Sequence, residues 1–310
     1  MKKLISLLLI TAACAVFAGC GGAEKADSPK GFTLQYQEQT LTLQTPPKRV
    51  AVLTTPLLNM VYAAGGESVS RPTTRSPIPE AARSLPELGQ TQHIDMEKLV
   101  ALTPDLVLGE RSQNRKLESL LQSNHLPYFL INYDGINDNV PLIRFLGRLY
   151  GTEEKTDALI TEYESRIAAL EEEAARHTPV RAAVLRATGK DVTAETDASI
   201  CASMVKRLKM DNVVTAHKEI SADAKTVPYS LEQLSADDPD LIFVVTMGNA
   251  SEINKKMDEE MRSNPAWSQL KAVRTGRVYF LPYELFLMNP GLRTPEAMEQ
   301  LLRLAYPPEN

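Results

Sequence analysis

Arg71, Arg75, Arg111 and Arg186 are the side chains of this chain best suited to holding a small molecule. A guanidinium group presents a flat fork of donors that grips carboxylates and other anionic oxygens two at a time. The four are scattered along the sequence, so only a fold that gathers several loops would bring them to one ligand. Taken singly, each reads more readily as a solvated surface arginine. Four histidines offer a second chemistry. His93, His125, His177 and His217 are all far apart in sequence, which argues against a closed three-histidine site for zinc or manganese. Only His93, just ahead of a predicted helix, is placed to face a cleft. Nucleophilic and phosphate chemistry lack their usual signatures. The chain contains no G-x-S-x-G, no P-loop, no H-E-x-x-H and no C-x-x-C. Cys201 has no histidine at a suggestive spacing and reads as a small buried residue.

Two glutamates sit in a phrase that the chain writes twice. "IDMEKLVALTPDL" begins at Ile94 and "YSLEQLSADDPDL" at Tyr229. At one constant offset Glu97 answers to Glu232, Leu99 to Leu234, and Pro104-Asp105-Leu106 to Pro239-Asp240-Leu241. Asp95 and Ser230 are good helix N-caps, and each glutamate falls two places later, in the first turn. A leucine then faces inward, a proline ends the unit and an apolar strand follows. On spacing alone, two readings stay open. The glutamates complement two helix dipoles, or they mark two exposed contact points.

The elements that must position these groups alternate between strand and helix. Phe32 to Leu43 alternates apolar and polar residues around a tight turn, which predicts a hairpin. Short buried strands are expected at 50–53, 106–108, 128–131, 180–186, 241–245 and 278–281, and a helix at 57–64. That alternation belongs to an open α/β sheet. In such sheets ligands sit beyond the carboxyl ends of the strands. Those ends place Thr54, Thr55, Arg71, Arg75, Glu110, Arg111, Tyr133, Arg186, Met247 and Tyr283 as candidate cleft residues, with His93 beside them. Between the repeats runs the longest helical pattern. Thr152 is its predicted N-cap, and Leu159, Ile160, Tyr163, Ile167, Leu170 and Ala174 recur at helical spacing. A helix of that length between two copies of one unit is a connector.

The chain opens with Lys2 and Lys3, an apolar run from Leu4 to Phe17, and small residues before Cys20. That pattern is a secretory signal, too short for a stable membrane span. Phe17-Ala18-Gly19-Cys20 resembles a bacterial lipobox, in which the cysteine becomes the lipid-bearing first residue. Cleavage there removes Cys14 and acylates Cys20, so Cys201 stands alone and no intrachain disulfide forms. Losing Lys2 and Lys3 takes the formal net charge from -5 to -7. That excess argues against a nucleic-acid partner.

From the residues quoted, the chain resembles the periplasmic substrate-binding proteins of iron-chelate, haem and cobalamin ABC importers. The resemblance rests on "PKRVAVLTTPLLNMVYAAGG", on both E-x-L-x(4)-P-D-L repeats, and on the block from Asn264 to Pro307. That block contains Trp267, Gly276-Arg277-Val278 and Pro290-Gly291. It implies two Rossmann-like α/β lobes joined by one long helix, the class III binding-protein fold. The expected division is a signal peptide at 1–19, a lipid tether at 20–31, an N-terminal lobe at 32–151, the interlobe helix at 152–176 and a C-terminal lobe at 177–310. It further implies that Glu97 and Glu232 meet arginines of a membrane permease, one per lobe. The implied ligand is a metal chelate, an iron-siderophore first, with haem and a corrinoid open and no covalent cofactor. Haem-binding members place a tyrosine and an arginine shortly before the first repeat, where this chain has Gln90 and Gln92. The implied setting is a monomeric, exported, non-enzymatic lipoprotein anchored to the bilayer through Cys20 and serving a permease with its ATPase. A direct metal-ion receptor, an enzyme of related fold and a surface adhesin are the competing readings. One departure stands out: Lys209 and Met210 occupy a loop where the family carries glycine.

Overall fold

The structure, a computed structural model, describes residues 31–216, 221 and 224–308. The expected signal segment, Cys20 and His217 lie outside the described residues. The chain begins with a hairpin of β1 (Phe32–Tyr36) and β2 (Gln39–Leu43), paired antiparallel from Phe32 opposite Leu43 to Tyr36 opposite Gln39. A parallel sheet follows, built from β3 (Val50–Val52), β4 (Leu106–Glu110) and β5 (Tyr128–Ile131) in that spatial order. These strands are continuous apolar runs because helices cover both faces. Between β3 and β4 lie α1 (Thr55–Ala63) and α2 (Met96–Ala101). After β5 comes α3 (Asn139–Tyr150), which ends on Gly151 in the left-handed conformation.

The connector α4 runs from Glu153 to Ala174, 22 residues, or about 33 Å at 1.5 Å per residue. Thr152 does not cap it through its side chain, as the sequence suggested. Its carbonyl accepts the Thr156 N–H, but its hydroxyl donates to the Ala64 carbonyl at 2.7 Å, tying the connector to the end of α1. The connector serves two cores. Ile160 packs into the cluster around Leu57, Phe129, Phe145 and Leu146, whereas Tyr163 and Ile167 pack with Val184, Phe243 and Leu301.

Beyond it lies a second sheet. Its central strands β6 (Arg181–Thr188), β9 (Leu241–Met247) and β10 (Val278–Leu281) are parallel. Antiparallel strands β7 (Val192–Glu195) and β8 (Thr226–Pro228) extend it from the β6 edge. Helices α5 (Ile200–Arg207) and α6 (Leu231–Asp237) precede β9, and α7 (Thr294–Ala305) closes the chain. Lys209 takes φ 58°, the left-handed turn for which glycine is the usual residue. A lysine therefore holds a left-handed turn at this point.

The repeated phrase has one structural job in each sheet. Asp95 and Ser230 accept the Lys98 and Gln233 N–H groups, and Leu99 and Leu234 are buried. The aspartates of the two Pro-Asp-Leu segments then clamp a neighbouring strand. Asp105 accepts the N–H groups of Lys48 and Arg49 at 2.7 and 2.8 Å, while its own N–H donates to the Arg49 carbonyl. Asp240 does the same with Arg181, at 2.9 Å for the carboxylate and 2.8 Å for the backbone. Each clamp sets the start of one parallel pair, β3 with β4 and β6 with β9.

Candidate functional site

Loops that follow strands of the first sheet meet residues of the C-terminal lobe in contacts between the lobes. On one side Ser76 and Tyr283 share a hydrogen bond of 2.8 Å between their hydroxyls. On the other, Lys225 Nζ lies 3.4 Å from Asp134 Oδ1. Deeper in, the Asn289 side chain donates to the Gly135 carbonyl at 2.7 Å. Tyr283 was expected at the ligand cleft. Ser76, Asp134 and Lys225 carry no local sequence signal and were missed, because each acquires its role only when the lobes meet.

Glu110 is the last residue of the central strand β4 and only 4% exposed. Thr54 donates to its Oε1 at 2.6 Å, and its backbone N–H is held by Asn114. Burial pushes its carboxyl up to about 7, and the nearby Asp134 pushes the same way. The Thr54 hydroxyl and Lys225 oppose them.

Two candidate contacts must be corrected. Tyr133 is 3% exposed, and its hydroxyl donates to Asn139 Oδ1 at 2.7 Å, so it belongs to the core and not to the cleft wall. Thr54 is likewise buried and committed to Glu110. The reason is common to both: they follow buried strands closely enough that the first layer of packing still covers them. Thr55 begins α1 and is half-buried.

The four arginines divide into two pairs. Arg71 lies 2.5 Å from Glu87, and Arg186 reaches Glu195 with two nitrogens at 2.8 and 2.7 Å. Glu195 is fully buried; burial pushes its carboxyl up and Arg186 pulls it back. These guanidinium groups are engaged internally, against the expectation that all four face a ligand. Arg75 is exposed and Arg111 half-exposed, and neither forms an ion pair within 4.0 Å among the described residues. The pairing of Arg186 with Glu195 crosses the β6–β7 hairpin, where Arg186 stands opposite Thr193. Met247 ends β9 with 53% of its surface exposed, an unusual state for a methionine. It stands opposite Thr188 at the tip of β6. His93 is exposed on a two-residue strand just before α2.

Glu97 and Glu232 occupy the first turns of α2 and α6, both exposed. Since each helix leads back into the start of a parallel strand, its N-terminus lies at the strand's carboxyl end, on the cleft side. Its own backbone N–H and the Ser230 hydroxyl hold the Glu232 carboxyl below its ordinary range. Among the described residues no three His, Cys, Asp or Glu side chains converge as a metal ion requires. Cys201 is buried and unpaired. A separate hollow of about 270 Å³ opens between Leu185, Leu234, Met257 and Trp267 and is lined by residues of the second sheet and its helices alone. No helix among the described residues is long and apolar enough to cross a membrane.

Comparison with known proteins agrees with this geometry. The Fe(3+)-citrate-binding protein YfmC of Bacillus subtilis (strain 168) is 24% identical over 325 residues, covering 98% of each chain. The high-affinity heme uptake system protein IsdE of Staphylococcus aureus (strain MRSA252) is 23% identical over 239 residues, covering 77% of this chain and 80% of its own. Among solved structures, an ABC transporter substrate-binding protein from Listeria monocytogenes EGD-e superposes with a TM-score of 0.74 at 23% identity. It covers 83% of this chain and 97% of that one. Residues 50–285 match the family described as periplasmic binding protein. With two α/β lobes and a connecting helix, the chain belongs to the periplasmic binding protein family, a family of transport receptors and not of enzymes.

Proposed function

We propose that this protein captures an iron-siderophore-type ferric chelate in the interlobe cleft and delivers it intact to the permease of an ABC importer. The observation that carries the reading is a pair of arginines. Arg75 and Arg111 follow the carboxyl ends of the first sheet's strands and form no ion pair among the described residues. A ferric chelate of carboxylate type offers the anionic oxygens that such guanidinium groups recognise. The match to an Fe(3+)-citrate-binding protein over nearly the whole length of both chains supports the same ligand class. In this reading Thr55, Arg75, His93, Arg111, Met247 and Tyr283 line the ligand site. Arg71 and Arg186 shape its walls through their internal ion pairs.

Residues 1–19 are a signal peptide, Cys20 carries lipid, and 20–31 tether a monomer to the outer face of a membrane. Lobes at 32–151 and 177–310 flank the helix at 152–176. Glu97 and Glu232 dock on arginines of the permease, whose ATPase drives release and import.

Haem is the second reading. It is supported by the match to a haem uptake protein and by Met247, whose exposed thioether is a haem-iron ligand type. One experiment separates the two. The purified protein is titrated with ferric citrate and, separately, with haemin, following visible absorption. The expected result is micromolar or tighter binding of ferric citrate, about -8 kcal/mol, with a broad charge-transfer band and recovery of unaltered chelate. A Soret band with haemin and no response to ferric citrate would replace the first reading by the second.

A further inference from the structure

Asn139 opens α3 and is fully buried, yet it touches every part of the molecule. Its Oδ1 accepts the Tyr133 hydroxyl of the N-terminal lobe at 2.7 Å. Its amide nitrogen lies 2.9 Å from the Tyr163 hydroxyl on the connector. It also lies 3.1 Å from the Gly291 carbonyl and 3.0 Å from the Thr294 hydroxyl, both in the C-terminal lobe. Thr294 in turn donates to the Gly291 carbonyl at 2.7 Å. Two amide protons thus serve three acceptors on two separate bodies, with the carbonyl oxygen spent on a third.

The C-terminal lobe is brought to this point by a left-handed backbone turn that favours glycine. Gly291 has φ 59°, and a Cβ there would meet Met60 Sδ at 2.9 Å and the Tyr133 hydroxyl at 3.1 Å. Asn289, two residues earlier, accepts the Gly291 N–H and donates to the Gly135 carbonyl across the lobes. The segment 289–294 is therefore the place where one lobe is pinned into the other, away from the two bridges at the cleft mouth.

We propose that Asn139 is the joint that sets the angle between the lobes. Its amide cannot leave Gly291 and Thr294 without becoming a buried, unsatisfied donor, and such a group has no water to turn to. Opening the cleft by rotation about this point costs that hydrogen bonding, whereas breaking the exposed Lys225–Asp134 ion pair costs little. The bridges at the mouth can exchange while the joint holds, so the cleft stays preformed when empty. This role concerns the lobes and is independent of which ligand the cleft holds.

The test measures lobe spacing in the full-length protein without ligand. Keto amino acids replace the exposed Lys98 on α2 and Gln233 on α6 and carry spin labels, leaving every cysteine untouched. Pulsed electron resonance then reads the distance distribution. The parent should give one narrow distribution, and Asn139→Ala one of roughly twice the width with a tail to longer distances. Thr294→Val, which removes a single acceptor and keeps the shape, should fall between them. A folded Asn139→Ala protein with the parent's distribution overturns the proposal, even if its melting midpoint is lower, because that outcome marks Asn139 as ordinary core. Should Asn139→Ala fail to fold, Thr294→Val decides: an unchanged width in that folded variant equally overturns it.

Discussion

Replacing Glu110 by glutamine keeps the shape of the side chain and the acceptor for the Thr54 hydroxyl, and removes only the charge. The wild-type carboxyl is buried at the end of β4 and titrates at about 7, against an ordinary 4.5. The folded protein therefore binds more protons than the unfolded chain between those two values. Its stability falls as pH rises through that window and levels off above pH 7. The difference of some 2.5 pH units corresponds to about 3 kcal/mol, at 1.36 kcal/mol for each unit. Glu110→Gln should match wild type near pH 4.5, where both side chains are neutral, and exceed it by about 3 kcal/mol at pH 8. Urea unfolding followed by circular dichroism at a series of pH values between those limits measures the gap. Two parallel curves with no pH-dependent divergence would refute the reasoning, and would mean that water or Lys225 supports the ionised carboxylate in full.

Three further outcomes are expected. Glu97→Arg and Glu232→Arg should abolish stimulation of the reconstituted permease ATPase while leaving chelate binding unchanged; lost binding would place these side chains in the pocket instead. Arg75→Ala and Arg111→Ala should each weaken ferric citrate binding by about 1.5–3 kcal/mol, whereas Arg166→Ala, on the connector, should not, as isothermal titration would report. Asp105→Ala leaves two backbone N–H groups without their acceptor and should cost about 2–3 kcal/mol in urea unfolding. The equivalent Asp240→Ala should cost a similar amount through Arg181.

Much of the frame was legible because its signals are local. The strands 128–131 and 278–281 are bounded apolar runs and appear at the expected residues. Asp95 and Ser230 cap the helices that the repeat announced. The connector could be read from its heptad-like spacing, although the Thr152 hydroxyl turned out to bind Ala64, far away in sequence. The site was less legible for the same reason. Ser76 and Tyr283 meet across 207 residues, and nothing near either one announces the other. Glu110 looks like any strand-end carboxylate until Thr54 and the packing around it remove the water. Arg186 had a readable partner in principle, since Glu195 lies on the next strand of a hairpin, but only once β7 is recognised as a strand. The repeat itself carried two messages. Its aspartate is a strand clamp in both lobes, and its glutamate, exposed in the first turn of the preceding helix, takes no part in that clamp.

The division of the connector between two cores bears on how the chain reaches its native state. By Ile160 the first cluster has nearly all the side chains it needs, apart from late arrivals such as Leu292. A chain that emerges amino end first can condense that half before the other exists. Tyr163 and Ile167 then project from the same face of the growing helix, three and seven residues on. They form a ready template on which Val184, Phe243 and Leu301 assemble. Three positions of one helix thus separate a half that can condense early from a half that must wait for later residues.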